Sequence, residues 1–338
     1  MTTTESSASA KAAATRFREV HEKVRTELHK AIVGQDAVID SVLTALFAGG
    51  HVLLEGVPGI GKTLLVHSLG ETLDLAFSRI QFTPDLMPSD VRGAEILVET
   101  QGGGHELRFQ PGPIVSNLVL ADEINRATPK TQSAMLEAMQ ERQVTIGERT
   151  IKLDEPYCVM ATQNPVEQEG TYPLPEAQLD RFLLKVVVGY PKEEEYLRIL
   201  NLTTGSTTEK LSAVSNGAEV LELRQTVRDV PVPESAQQHA VRLVMATQPD
   251  SEYAPELVRN SVSLGSSPRG AQALILAAKV HALLAGRYAV APEDIRAVAL
   301  PCLRHRVLLS FQGQADGVGA DQVVAAVLEA LPLPGEGL

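Results

Sequence analysis

The feature that most constrains this 338-residue chain is an eight-residue string, Gly56-Val57-Pro58-Gly59-Ile60-Gly61-Lys62-Thr63, which fits G-x-x-x-x-G-K-[ST]. It follows a β-rich run, His51 to Glu55, and opens a helical pattern, Gly61 to Asp74, the context a phosphate-binding loop requires. Glycines allow backbone N–H groups to curl around phosphates, and the start of the helix adds positive potential. In that geometry Lys62 reaches the β and γ phosphates and Thr63 offers its hydroxyl to Mg²⁺. The predicted binding stretch is therefore Gly56, Val57, Pro58, Gly59, Ile60, Gly61, Lys62, Thr63 and the adjoining Leu64.

Around this loop, short β-rich runs alternate with helical segments, the pattern of a parallel sheet covered by helices. The strand candidates are His51 to Glu55, Ser78 to Phe82, Asn117 to Ala121, Tyr157 to Thr162 and Leu183 to Val188. Between them, Pro129 to Glu141 reads as a helix with Thr128 as N-cap and Pro129 in its first turn. Two segments carry hairpin chemistry instead. Gly102-Gly103-Gly104 lies between Ile96–Glu99 and Glu106–Phe109, and Gly147-Glu148 between Gln143–Ile146 and Thr150–Leu153. The expected fold class is α/β, a P-loop NTPase with a five-stranded parallel sheet sandwiched by helices, two β-hairpin inserts and a C-terminal all-α lid.

A P-loop needs a second magnesium ligand at the end of a neighbouring strand. Leu118-Val119-Leu120-Ala121-Asp122-Glu123 supplies it, with Asp122 holding the metal shell beside Thr63 and Glu123 polarising the water that attacks the γ-phosphate. The fourth strand candidate ends in Ala161-Thr162-Gln163-Asn164-Pro165. If that strand lies between the first and third, Asn164 sits between the loop and Asp122, where an amide can orient water and phosphate. Arg181, before the fifth strand, and Arg269, at the start of a lid helix, are the candidates for stabilising transition-state charge.

Amphipathic spacing over Phe17, Val20, Val24, Leu28 and Ile32 predicts a helix ahead of the core, preceded by a small, polar stretch that reads as a disordered lead-in over 1–15. The core ATPase domain is expected over 16–200, a Thr/Ser/Gly-rich linker over 201–217, and the helical lid over 218–332. With 30 Lys+Arg against 42 Asp+Glu, the net charge is −12, which argues against a protein that binds duplex nucleic acid by neutralising phosphates. Two cysteines cannot make a disulfide framework, no apolar run is long enough to span a membrane, and the first residues lack the apolar core of a signal peptide. A cytoplasmic location is the expectation that follows.

The strings FTPDLMPSDVRG at 82–93, LADEINRATPKTQSAMLEAMQERQVT at 120–145, ATQNPVEQEGTYPLPEAQLDRF at 161–182 and SPRG at 267–270, taken with the loop, resemble the MoxR family of AAA+ ATPases. The resemblance spans about 30–310. It implies a strand order 5-1-4-3-2, ATP and Mg²⁺ bound at subunit interfaces, and a homo-oligomeric ring, a hexamer. It also implies that Val33, Gly34 and Gln35 line the adenine, that Arg181 is a finger supplied by a neighbouring subunit, and that Arg269 is the lid sensor; whether Arg269 acts in cis or in trans is left open. The implied activity is hydrolysis of ATP to ADP and phosphate, driving chaperone-like remodelling or maturation of partner proteins, with a von Willebrand factor A domain protein as partner. A motor subunit of a magnesium-chelatase-like metal-insertion enzyme is the alternative, and a nucleic-acid motor the more distant one. Gly270 departs from the family's more usual alanine after the lid arginine.

Overall fold

A computed structural model describes residues 3–99, 104–147, 149–165, 170–205 and 210–333. In chain order the elements are α1 (Thr3–Leu28), α2 (Asp36–Ala48), β1 (Val52–Glu55), α3 (Lys62–Leu73), β2 (Phe77–Gln81), α4 (Pro88–Arg92), β3 (Gly93–Glu99), β4 (His105–Pro111) and β5 (Leu118–Asp122). There follow a 3₁₀ turn (Ile124–Arg126), α5 (Pro129–Glu141), β6 (Gln143–Ile146), β7 (Arg149–Lys152), β8 (Cys158–Gln163), α6 (Glu176–Leu179), β9 (Leu184–Val187) and α7 (Glu193–Thr204). The last part comprises α8 (Gly217–Asp229), α9 (Glu234–Ala246), α10 (Glu256–Ser261), β10 (Val262–Leu264), α11 (Pro268–Leu284), α12 (Pro292–Leu303), β11 (Leu308–Leu309), α13 (Phe311–Ala315) and α14 (Ala320–Ala330).

The five apolar runs pair in parallel in the order β2-β5-β8-β1-β9. Numbered by their place in the sheet alone, that is the expected 5-1-4-3-2. Strands buried on both faces read as continuous apolar sequence, and alternate residues divide between two cores. Val52, Leu54, Leu118, Leu120, Cys158 and Met160 face α1, α2, α3 and the helical lid. Leu53, Val119, Ala121, Val159 and Ala161 face the other way, onto Met135, Leu136 and Met139 of α5. The first core runs without a break from the sheet through α2 into α8, α9, α11 and α12, so the lid packs on the ATPase core as one hydrophobic body.

Both hairpins form, as the separate antiparallel pairs β3-β4 and β6-β7. Of their expected turns, Gly102, Gly103 and Glu148 lie outside the described residues. The expected disordered lead-in is corrected from Thr3 onward, because those residues belong to α1 and Ala14 is buried in the core. Apolar spacing could not register this stretch, yet Ala and Lys propagate a helix once Phe17 and Val20 anchor it. The expected linker is shorter than read, since α7 continues to Thr204 and α8 begins at Gly217, where the Asn216 side chain accepts from the Glu219 backbone N–H at 3.0 Å. The lid also carries a small antiparallel pair, β10 with β11, that periodicity did not reveal.

Within the lid, Asp294 is fully buried and accepts from both Arg287 (2.6 and 2.5 Å), from His281 Nδ1 (2.7 Å) and from the Ala291 backbone N–H (2.8 Å). Burial alone would push its carboxyl up, but the hydrogen bonds from His281 and Arg287 outweigh that and hold it at about 2. A carboxyl depressed from 3.8 lends stability that is complete above its ordinary value and fades as the pH falls through about 2. Asp294→Asn should therefore lower unfolding stability at pH 7 by about 2 kcal/mol. In thermal or urea melts, the gap to the parent protein should close as the pH is taken from 4 toward 2.

Candidate active site

Parallel pairing puts the carboxyl ends of β1, β8 and β5 side by side, with Leu53 opposite Ala161 and Ala161 opposite Ala121. The loop after β1, Asn164 after β8 and Asp122-Glu123 at the end of β5 therefore converge. Pro58, Gly59, Gly61, Lys62, Thr63, Leu64, Asp122, Glu123 and Asn164 line one cavity of about 370 Å³. Gly59 and Gly61 take φ of +81° and +87°, a conformation that favours glycine, and a Cβ at either would meet nothing within 4 Å. The requirement at these two positions is thus backbone shape and not space.

Lys62 Nζ donates to the carbonyls of Gly56 (2.5 Å) and Val57 (3.3 Å), which folds the loop over its own lysine. Burial lowers the pKa of this amine, opposed by the charges of Asp122 and Glu123. Asp122 Oδ1 accepts from Thr162 Oγ1 at 2.6 Å, and the same hydroxyl accepts from the Glu123 backbone N–H at 2.8 Å. The Glu123 carboxylate accepts from Gln81 Nε2 (2.8 Å) and Arg126 Nη1 (3.1 Å). Asn164 is 7% exposed and faces the same cavity, so the position expected between loop and Asp122 is the one it occupies. Thr63 and Asp122 offer one hydroxyl and one carboxylate, a sparse set that suits Mg²⁺, an ion that retains waters and takes phosphate oxygens. Among the described residues no group of three or more His, Cys, Asp or Glu side chains is placed to bind a metal by itself.

Pro58, Gly59, Gly61 and Leu64 also wall a second, mostly apolar cavity of about 350 Å³. Val33, Gln35 and Ile60 line it together with Ala31, Ile32, Tyr190, Tyr196, Ile199 and Leu202. Gln35 Nε2 donates to the Ile60 carbonyl at 2.8 Å, tying this wall to the loop. Gly34, at φ +64°, lies so close to Glu195 that a Cβ would fall 2.0 Å from its Oε1. A mostly apolar cavity that shares Pro58, Gly59, Gly61 and Leu64 with the phosphate cavity suits a nucleobase.

Arg181 and Arg269 are elsewhere. They line a cavity of about 250 Å³ with Gly49, Gly50 and His51, at the amino end of β1, whereas the loop sits at its carboxyl end. Four residues of strand, about 13 Å, separate the two ends. The structure thus brings Arg181 and Arg269 together and brings neither to the phosphate cavity. Arg181 Nε is buried and has no hydrogen-bond partner among the described residues.

Sequence reading missed several residues that line these cavities. Arg79 lines the phosphate cavity and pairs with Asp122 Oδ2 at 2.7 Å, and Gln81 holds Glu123. Both lie on one face of β2, so period-two alternation through Ser78-Arg79-Ile80-Gln81 carried a signal for a polar face beside Asp122. Tyr190, in the segment after β9, and Tyr196, on α7, both reach the base slot, and no local string marks them.

Residues 51–184 match the ATPase family associated with various cellular activities (AAA), and 255–327 match its AAA lid domain. The chain is 43% identical over 318 residues to the protein named Chaperone MoxR1 of Mycobacterium tuberculosis, covering 94% of this chain and 83% of that one. It is 33% identical to the protein named MoxR of Methylorubrum extorquens, covering 95% and 97%. The crystal structure of a candidate ATPase from Cytophaga hutchinsonii superposes with a TM-score of 0.89 at 41% identity, over 96% of this chain and 98% of that one. The loop, the paired acids after β5, the helical lid and these matches together make the chain a member of the MoxR family of AAA+ ATPases.

Proposed function

We propose that the protein hydrolyses ATP to ADP and phosphate and uses the cycle for chaperone-like remodelling or maturation of partner proteins, a von Willebrand factor A domain protein among them. The observation that carries this reading is the meeting of Lys62, Thr63, Asp122, Glu123 and Asn164 in one cavity while Arg181 and Arg269 share another at the opposite end of the sheet. In this reading the loop N–H groups and Lys62 bind the β and γ phosphates, and Tyr190, Tyr196, Val33 and Gln35 enclose the base. Thr63 and Asp122 hold Mg²⁺, which when bound neutralises phosphate charge. Glu123, held by Gln81 and Arg126, takes the proton of the attacking water, and Asn164 orients that water against the γ-phosphate. The charge that develops on the transferred γ-phosphoryl group falls to Arg181 and Arg269 of an adjacent subunit, so a homo-oligomeric ring is the working form, a hexamer by family resemblance, and Arg269 acts in trans with the finger.

A chaperone role draws on the name of the Mycobacterium tuberculosis relative and on a surface that leaves Met87, Leu97 and Leu107 exposed on and beside the first hairpin. The net charge of −12 suits protein partners better than a nucleic-acid backbone. Among the described residues no helix is long and apolar enough to cross a membrane, in keeping with work in the cytoplasm.

Glu123→Gln should lower the turnover of ATP by about 10²- to 10⁴-fold while a fluorescent ATP analogue still binds. Unchanged turnover would remove Glu123 as the base. The same variant, holding ATP, should co-purify a von Willebrand factor A domain protein or another discrete client, and repeated recovery of neither would refute the remodelling role. Arg181→Ala should lower kcat about 10³-fold or more without loosening nucleotide binding, and its subunits should poison wild-type rings on mixing. A fully active monomer in sedimentation and ATPase assays would refute the trans assignment.

A further inference from the structure

Between the element that carries Arg181 and the one that carries Arg269 lies a buried charged junction. Arg306, only 7% exposed, leaves the end of α12 and spends all five N–H donors of its guanidinium. Nε donates to Asp180 Oδ1 at 2.8 Å, Nη1 to the carbonyls of Cys302 and Leu183 (3.2 Å for Leu183), and Nη2 to the carbonyls of Asp180 (3.2 Å) and Phe182 (2.6 Å). Three of those carbonyls, at 180, 182 and 183, flank Arg181 on either side. His305 Nε2 adds a bond to the Phe182 carbonyl at 3.0 Å. The lid therefore grips the backbone on which the finger arginine stands.

Asp180 continues the link to the other arginine. Its Oδ2 accepts from Ser267 Oγ at 2.7 Å, and Ser267 is the N-cap of α11, its Oγ accepting from the backbone N–H of Arg269 at 3.1 Å. Arg269 Nη1 stands 3.8 Å from the same carboxylate oxygen. Gly270 fits this closeness, because a Cβ there would lie 2.0 Å from Ser266 Oγ and 3.3 Å from Arg306 Cδ. A buried ion pair adds little net stability over packed apolar side chains, since desolvation offsets most of the attraction. What a saturated, planar guanidinium does supply is direction.

We propose that Asp180 and Arg306 are positioning residues for turnover in the neighbouring subunit, joining Arg181 and Arg269 into one rigid unit that is presented to the nucleotide bound next door. This rests on the trans assignment of the two arginines proposed above. Neither Asp180 nor Arg306 lines the chain's own phosphate cavity, so their loss leaves the subunit's own loop competent to bind ATP. Misplacing a catalytic group by an ångström costs about a hundredfold in rate.

The test uses the full-length chain in its ring. Arg306→Lys and Asp180→Asn should each lower kcat about a hundredfold with KM for ATP and the affinity for a fluorescent ATP analogue essentially unchanged. Ser267→Ala removes the hydroxyl that joins Asp180 to the start of α11, its two hydrogen bonds included, but leaves the buried pair intact; it should lower kcat about fivefold, which keeps the idea testable if that pair proves necessary for folding. Asp180→Asn subunits retain a working loop and Glu123→Gln subunits retain intact arginines, so two preparations that are each nearly inactive should regain turnover when mixed. Arg181→Ala mixed with Glu123→Gln is the control. Gain in the control without gain in the Asp180→Asn mixture, or variants of unchanged kcat, or a loss of nucleotide affinity matching the loss of rate, overturns the positioning role. No gain in the control overturns the trans assignment itself and this inference with it.

Discussion

The parallel pairing of β8 with β1 on one side and β5 on the other is the constraint on which the rest of the structure depends. The loop, the two acids and the amide of the phosphate cavity leave the carboxyl ends of these three strands, the loop from β1, the acids from β5 and the amide from β8, while Arg79 reaches it from neighbouring β2. None of the three is near another in sequence. Parallel strands require long crossovers, and the crossovers here are the helices and hairpins that cover the sheet. Once the alternating residues of each strand are divided between the two cores, the register admits no slip, because a one-residue shift would exchange the cores' contents.

The same strands have a second end, and the lid is built onto it. His305 and Arg306 bond to the carbonyls that lead into β9, and the apolar core passes from the sheet's face directly into α8, α9, α11 and α12. Motion of the lid relative to the core must disturb either that apolar continuity or the Asp180 junction. In the proposed ring, a subunit organised this way would turn as a unit, with its nucleotide cavity and its arginines at opposite ends of the sheet toward different neighbours.

What could be read in the sequence follows a simple physical division. The meeting of Lys62, Thr63, Asp122, Glu123 and Asn164 in one cavity was legible because each lies in a short string whose local geometry, strand end followed by turn, fixes where it sits. The five strands and their order were legible for the same reason and through family resemblance. Arg79, Tyr190 and Tyr196 were not, since each reaches its cavity through tertiary packing from a segment without a motif of its own, and Gln81 reaches Glu123 in the same way. The helical start of α1 was missed because Ala, Ser and Thr give no apolar period, although Ala14 packs in the core. For Arg269 the sequence left two subunits open, and the geometry sets it in one cavity with Arg181, away from this chain's own loop.

The pairing of Arg79 with Asp122 has a consequence for how a triphosphate finds its place. The charged residues lining the phosphate cavity are two of each sign, Lys62 and Arg79 against Asp122 and Glu123. On a chain of net charge −12, such a cavity exerts almost no pull on a distant anion. Capture is then a contact event, governed by the ordered N–H groups of the loop and the fit of the base slot, and added salt has little long-range attraction to screen.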